Sequence, residues 1–239
     1  MTARALPRRE RSRRGPAALA VSLLIAALPA PTIAADPAVP PGFVRLSDVA
    51  PAIRQDIRYA GRSNFTGRPV PGYGAPECWL RREAALALAL VARDLAASGW
   101  RLVVYDCYRP QRATAAFVAW ARDPADQATK AEYYPRIDKA RLFALGYIAS
   151  ASSHSRGIAV DAGAETAGGS PVDFGTAFDH FDPRSGAGHP DVGALAQANR
   201  RRLAAAFAAR GFAGYAREWW HFGFRTGASA AHDRPITGR

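Results

Sequence analysis

The chain lacks several features that would settle its class at once. It has two cysteines, one methionine and, among 32 basic residues, only two lysines, Lys130 and Lys139. The two cysteines, Cys78 and Cys107, lie too far apart for the C-x-x-C spacing of a zinc ribbon or redox pair. No apolar run reaches the ~20 residues that a membrane span requires. No internal repeat is present, which excludes solenoids and propellers. The formal charge of +12 comes without a nucleic-acid motif or a dense basic stripe, so no nucleic-acid partner is expected. Strict strand–helix alternation is also missing, which favours α+β over a doubly wound sheet.

The first 35 residues read as a leader rather than as part of a fold. Arg4, Arg8, Arg9, Arg11, Arg13 and Arg14 are followed by the apolar stretch Ala17–Leu28 and by small residues up to Ala35. A basic start, a short apolar core and a small-residue exit describe a secretory signal peptide, with cleavage after Ala34 or Ala35. A membrane anchor is the alternative, and the run is short for one. Removal of the leader leaves 204 residues and a charge of +7, enough for one domain with its own core. The expected location is periplasmic or secreted, with no stable membrane insertion after cleavage. In an oxidising compartment Cys78 and Cys107 are a disulfide candidate; two separate buried thiols are the alternative.

Local patterns predict the main elements. Val44–Tyr59 reads as a short helix and a strand, and the Gly- and Pro-rich residues 64–74 as loop. Arg82–Ala97 is an Ala/Leu-rich core helix closed by Ser98-Gly99, and Trp100–Tyr105 is a strand. Pro110 opens a second helix to Arg122. Residues 125–147 are mixed helical and irregular. Ile158–Ala162 reads as a buried strand and residues 164–190 as a long loop. Asp191–Arg210 is the third long helix, and Phe212–Phe224 holds two short strands. Residues 226–239 are small and polar and read as a flexible tail. The catalytic domain is thus expected over 36–225, as α+β with a central antiparallel sheet flanked by helices.

Two segments carry the chemistry. Ser152-Ser153-His154-Ser155-Arg156-Gly157-Ile158-Ala159-Val160-Asp161 and Glu218-Trp219-Trp220-His221 supply two imidazoles and a carboxylate for one metal ion, plus a spare carboxylate. Three protein ligands with a fourth position left for water are the usual equipment of catalytic Zn²⁺. His154, Asp161 and His221 are the candidate ligands, and Glu218 the candidate general base. Glu218 and His221 are three residues apart, so on a flat strand they would point to opposite sides. A turn or bulge is therefore required there. Arg109, between a strand and a helix, is the candidate cation for the charge developing on an attacked carbonyl, and Asp106 the partner that fixes its fork. His180 is a minor candidate for lining the cleft, while His189 and His232 read as solvated.

The pattern S-x-H-x-x-G-x-A-x-D followed by E-x-W-H resembles that of the zinc D-Ala-D-Ala metallopeptidases with the Hedgehog/DD-peptidase fold. Here it is Ser152, His154, Gly157, Ala159, Asp161, then Glu218, Trp220, His221. Arg58-Tyr59-Ala60, Asn64-Phe65-Thr66-Gly67, Gly72-Tyr73, Tyr108-Arg109-Pro110, Tyr133-Tyr134-Pro135 and the stretch from Gly175 to Asp179 look like those of D-alanyl-D-alanine dipeptidases of the VanX type. The similarity runs from about Val44 to Phe224. It implies one Zn²⁺ on His154, Asp161 and His221, Glu218 as base, and Arg109 at the tetrahedral intermediate. It also implies Tyr59 and Asp179 near the substrate amine and Ser152 near its carboxylate. The expected substrate is the D-Ala-D-Ala dipeptide, cleaved in cell-wall metabolism or turnover. The long loop 164–190 is expected to narrow the cleft against longer peptides. A D,D-carboxypeptidase acting on longer wall peptides is the close rival, and a zinc-retaining, non-catalytic binding module the distant one.

Overall fold

The computed structural model describes residues 1–2, 38–227 and 230–238. The leader read from residues 1–35 lies, apart from Met1 and Thr2, outside the described residues. The described residues from 38 onward belong to one compact unit.

In chain order the elements are β1 (Phe43–Arg45), α1 (Leu46–Val49), β2 (Arg54–Gln55), β3 (Trp79–Arg81), α2 (Arg82–Ala96), β4 (Trp100–Asp106), α3 (Gln111–Arg122), α4 (Lys130–Tyr133), β5 (Ala159–Thr166), α5 (Ala194–Ala208), β6 (Phe212–Tyr215) and β7 (Glu218–Phe224). The class is α+β. β1 and β3 form a small antiparallel sheet, and the main sheet runs β2-β4-β5-β7-β6. Its pairs are antiparallel except for the two-residue edge strand β2, which runs parallel to β4.

Two helices cover this sheet. Buried Ala84, Ala85, Leu88, Val91 and Leu95 form one stripe of α2, as 3.6-residue periodicity demands, while Leu86 and Leu90 stay exposed. α5 buries Ala196, Arg200, Leu203 and Phe207 in a similar stripe. Its Phe207 stacks on Phe222 of β7 at 3.8 Å between centroids.

β5 extends past the expected strand to Thr166. Trp100 to Val104 of β4 pair with Thr166 to Ala162, so Gly163 and Ala164 are strand residues despite their loop-like composition. The loop after it is tied down by Arg200, which is only 2% exposed. Its Nε donates to Phe174 O at 2.7 Å, and its Nη1 to Arg184 O at 2.9 Å and Gly186 O at 2.7 Å. A buried charge is tolerated here because each nitrogen finds an acceptor, Nη2 facing the Thr176 hydroxyl at 3.4 Å.

The expectation of a flexible tail fails for residues 230–238. Ile236 is fully buried and bridges Tyr73. Its carbonyl accepts from Gly74 N, His232 N donates to Ser155 O, and Gln111 N donates to His232 O. Asp233 accepts two side-chain hydrogen bonds from Arg112. His232 is half-buried and packs edge-on against Phe43 at 5.1 Å, rather than being solvated. One well-placed isoleucine and one ion pair outweigh the polar average of the segment.

Arg200→Met should strand several loop carbonyls and cost about 3 kcal/mol. The corresponding fall in Tm is roughly 6–12 °C, measurable by calorimetry. A shift under 2 °C would mean that the loop holds itself.

Candidate functional site

Three neighbouring strands bring the acidic and imidazole groups into one row. On β4 a bulge at Tyr105 shifts the pairing from Val104↔Ala162 to Asp106↔Asp161. On the other side of β5, Asp161 pairs with His221 of β7. His154 arrives from a 3₁₀ turn, His154–Arg156, that leads through Gly157 into β5. Gly157 has φ 69°, and a methyl there would overlap the Phe43 ring, so this turn requires glycine.

The bulge required around Glu218 is present in the β6–β7 hairpin. The register passes from Gly214↔Phe222 directly to Tyr215↔Glu218. Trp219, Trp220 and His221 therefore have no β6 partner, and strict alternation lapses. Glu218, Trp220 and His221 can then all face one cavity of about 300 Å³, at the small end for ligand sites.

In that cavity three donor atoms form a near-regular triangle. His154 Nε2 lies 3.2 Å from Asp161 Oδ1, His221 Nδ1 lies 2.9 Å from the same oxygen, and the two nitrogens are 3.1 Å apart. Ligands of a tetrahedral ion at ~2.0–2.2 Å sit roughly 3.3–3.6 Å from one another, so the set fits one small cation after slight opening. The other nitrogens support this orientation. His154 Nδ1–H donates to Cys107 O at 2.6 Å, which leaves Nε2 as the lone pair. His221 Nε2 is 3.5 Å from Ser153 Oγ. Burial alone would raise the pKa of Asp161, but the two imidazoles outweigh it and hold the carboxyl well below the usual range.

Glu218 stands beside this triangle. Burial, helped by Asp161, pushes its pKa up to about 7 against the opposing pull of His221 and Arg109. Arg109 donates through Nε and Nη2 to Asp106 Oδ2 at 3.0 and 2.7 Å, and its Nη2 is 3.7 Å from Asp161 Oδ2. Its guanidinium lies over Phe117 and Tyr59, 4.9 and 5.2 Å from the ring centroids. Fully buried Asp106 also accepts from Tyr73 OH at 2.6 Å. Cys78 and Cys107 form a disulfide, and the Cys107 carbonyl is the one that orients His154.

At the far end Asp179 is buried, and among the described residues no cation lies within ion-pair distance of it. Tyr59 OH donates to it at 2.9 Å. Burial and then repulsion from Asp161 raise its pKa well above the carboxylate range. It is the one non-glycine with positive φ among the described residues, at 59°. Ser152 lines the cavity, and its Oγ accepts from His154 N at 3.2 Å.

The structure thus gathers Tyr59, Arg109, Ser152, His154, Asp161, Asp179, Glu218 and His221 around one cavity. His180 is not among its lining residues; its Nδ1 faces Glu132 O at 3.0 Å. The loop 164–190 contributes only Asp179 and Phe181, whereas residues 146–149 and 151–153 form much of the wall. Sequence reasoning missed that wall, the apolar side made by Phe65, Phe117 and Phe181, and Tyr73. Tyr73 stood in a quoted motif, but nothing in its spacing pointed to Asp106.

Comparison with known proteins agrees with this geometry. The family described as D-ala-D-ala dipeptidase matches residues 40–237. A D-alanyl-D-alanine dipeptidase from Enterococcus faecium is 40% identical over 186 residues, covering 77% of this chain and 92% of that protein. One from Streptomyces coelicolor is 40% identical over 181 residues, covering 75% and 90%. One from Escherichia coli K12 is 35% identical over 187 residues, covering 78% and 86%. With the match running from the lead-in before β1 to the docked C-terminal residues, the chain belongs to the D-Ala-D-Ala dipeptidase family of M15 peptidases.

Proposed function

We propose that this protein hydrolyses free D-Ala-D-Ala to two molecules of D-alanine, with Zn²⁺ held by His154, Asp161 and His221. One observation carries the reading: a small cavity has three convergent metal-type donors beside Glu218, and at its end the buried carboxyl of Asp179 has no cation partner among the described residues. Such a carboxyl suits the ammonium group of a dipeptide.

When bound, zinc supplies Lewis acidity and lowers the pKa of coordinated water towards ~7. Glu218 accepts the proton of the attacking water and returns it to the leaving amine. Its pKa of about 7 lets it do both near neutrality. Arg109, held by Asp106, faces the charge that develops on the carbonyl oxygen. Tyr59 and Asp179 hold the free amine, and the Ser152 hydroxyl meets the carboxylate end. Phe65, Phe117 and Phe181 keep water from the amine side, where the charge pair then gains strength.

The leader over residues 1–35 and the Cys78–Cys107 disulfide support export to the periplasm or exterior. There the substrate is peptide released during wall turnover. Fractionation of cells that express the full chain tests this; retention of an intact leader in the cytosol contradicts it.

Purified protein should release D-alanine from D-Ala-D-Ala, and a chelator should abolish this reversibly. Glu218→Gln should lower kcat by about 10²–10⁴-fold with zinc content unchanged; loss of zinc would instead make Glu218 a ligand. Activity needs the ionised carboxylate, so kcat/KM should rise with pH through Glu218's pKa. A nearby dication favours the charged form, which puts this acid limb at or below about 7. Asp179→Ala should reduce kcat/KM on the dipeptide by about 10–100-fold. N-acetyl-D-Ala-D-Ala should not be cut by the unmodified enzyme; rapid cleavage of it would favour a D,D-carboxypeptidase.

A further inference from the structure

The wall formed by residues 146–153 has little support of its own. A tight turn closes its start: the amides of Leu145, Gly146, Tyr147 and Ile148 donate to Arg141, Phe143, Leu142 and Leu142 carbonyls. Among the described residues, no amide from 149 to 153 donates to another backbone carbonyl. The next anchor is His154 itself. Few backbone bonds and exposed positions at 149–151 mark a segment with low local stability.

One outside contact grips this turn. Arg217, in the β6–β7 turn, donates through Nη1 to the carbonyl of Leu145. Gly146 has φ 79°, a conformation that favours glycine, and a Cβ there would lie 2.8 Å from the same Nη1, so the guanidinium packs directly over this glycine. The β6–β7 turn is itself tied down, since Ala187 N donates to Ala216 O at 3.0 Å. Past the grip, Tyr147 lines the cavity and stacks on Phe181 at 5.2 Å, two residues from Asp179. The gripped wall therefore closes the end of the cavity that holds Asp179, where any N-terminal extension of a peptide would have to pass.

We infer that Arg217 and Gly146 form a latch that sets substrate length: it holds the 145–149 wall against the amine end and excludes peptides with a blocked or extended amine. The inference rests on the dipeptidase reading and adds a positioning residue to it. Arg217 touches no reacting atom. It acts through Tyr147 and the wall, so its loss should appear in KM and selectivity rather than in the chemical step.

The test compares Arg217→Ala and Arg217→Lys with the unmodified enzyme, using D-Ala-D-Ala, N-acetyl-D-Ala-D-Ala and hydrogen exchange of the amides from Leu145 to Ile148. For Arg217→Ala we expect a KM for the dipeptide raised about tenfold with kcat within about twofold. N-acetyl-D-Ala-D-Ala should become a measurable substrate, and the four amides should exchange about tenfold faster. Arg217→Lys, which keeps a donor, should recover most of the protection and selectivity. Unchanged exchange together with an unchanged ratio of the two substrates overturns the latch. So does a fall in kcat on D-Ala-D-Ala with no gain of N-acetyl-D-Ala-D-Ala cleavage, which would place the effect at neighbouring Glu218. If the unmodified enzyme fails to cut D-Ala-D-Ala at all, the dipeptidase reading falls, and the exchange data alone decide whether Arg217 holds the wall.

Discussion

Asp161 has Asp106 opposite it on one side and His221 on the other, and the rest of the site depends on that pairing across β4, β5 and β7. A one-residue slip of β5 would turn Asp161 towards the opposite face of the sheet. Two irregularities specify the register: the extra residue at Tyr105 and the three residues of β7 that have no β6 partner. Between them they aim Asp106, Asp161, His221 and Glu218 at one place. The one candidate ligand outside the strands, His154, is fixed by Gly157, by Phe43 and by the Cys107 carbonyl. Bulges next to the chemistry are thus the means by which a regular sheet presents consecutive side chains to one cavity.

The charges gathered there are unbalanced. Asp106, Asp161, Asp179 and Glu218 stand around a single arginine, Arg109. Burial without compensation favours the protonated carboxyl, and Asp179 and Glu218 are both shifted that way. A dication and an ammonium group would relieve the repulsion at two separate points. Under the proposed function, binding of metal and of substrate each complete part of an electrostatic arrangement that the protein alone leaves open. Arg109 is occupied with Asp106 and braced by two aromatic rings, so it keeps a fixed position rather than collapsing onto Glu218.

The sequence disclosed the site better than its surroundings. His154, Gly157, Asp161, Glu218 and His221 were legible because their chemistry and spacing are unusual, and the need for a bulge before His221 followed from strand alternation alone. The long helices and β4 followed from periodicity. The extension of β5 was hidden because Gly163 and Ala164 look like loop until Leu102 and Val103 pair with them. The 146–153 wall was hidden because it has no periodicity; Arg217, far along the chain, supplies its support. The role of Arg200 was hidden for a similar reason, since an arginine in a helix reads as solvated until three distant carbonyls converge on it.

The docked end of the chain bears on how variants of this gene are read. Ser155, next to a candidate metal ligand, receives its carbonyl's partner from His232, and Tyr73, whose hydroxyl holds Asp106, is bridged by Ile236. A frameshift or stop codon near position 230 therefore removes supports of the catalytic row although it spares every residue of both motifs. In genetic terms the last ten codons are not spare, and an allele that ends there cannot be counted as intact because its motifs are.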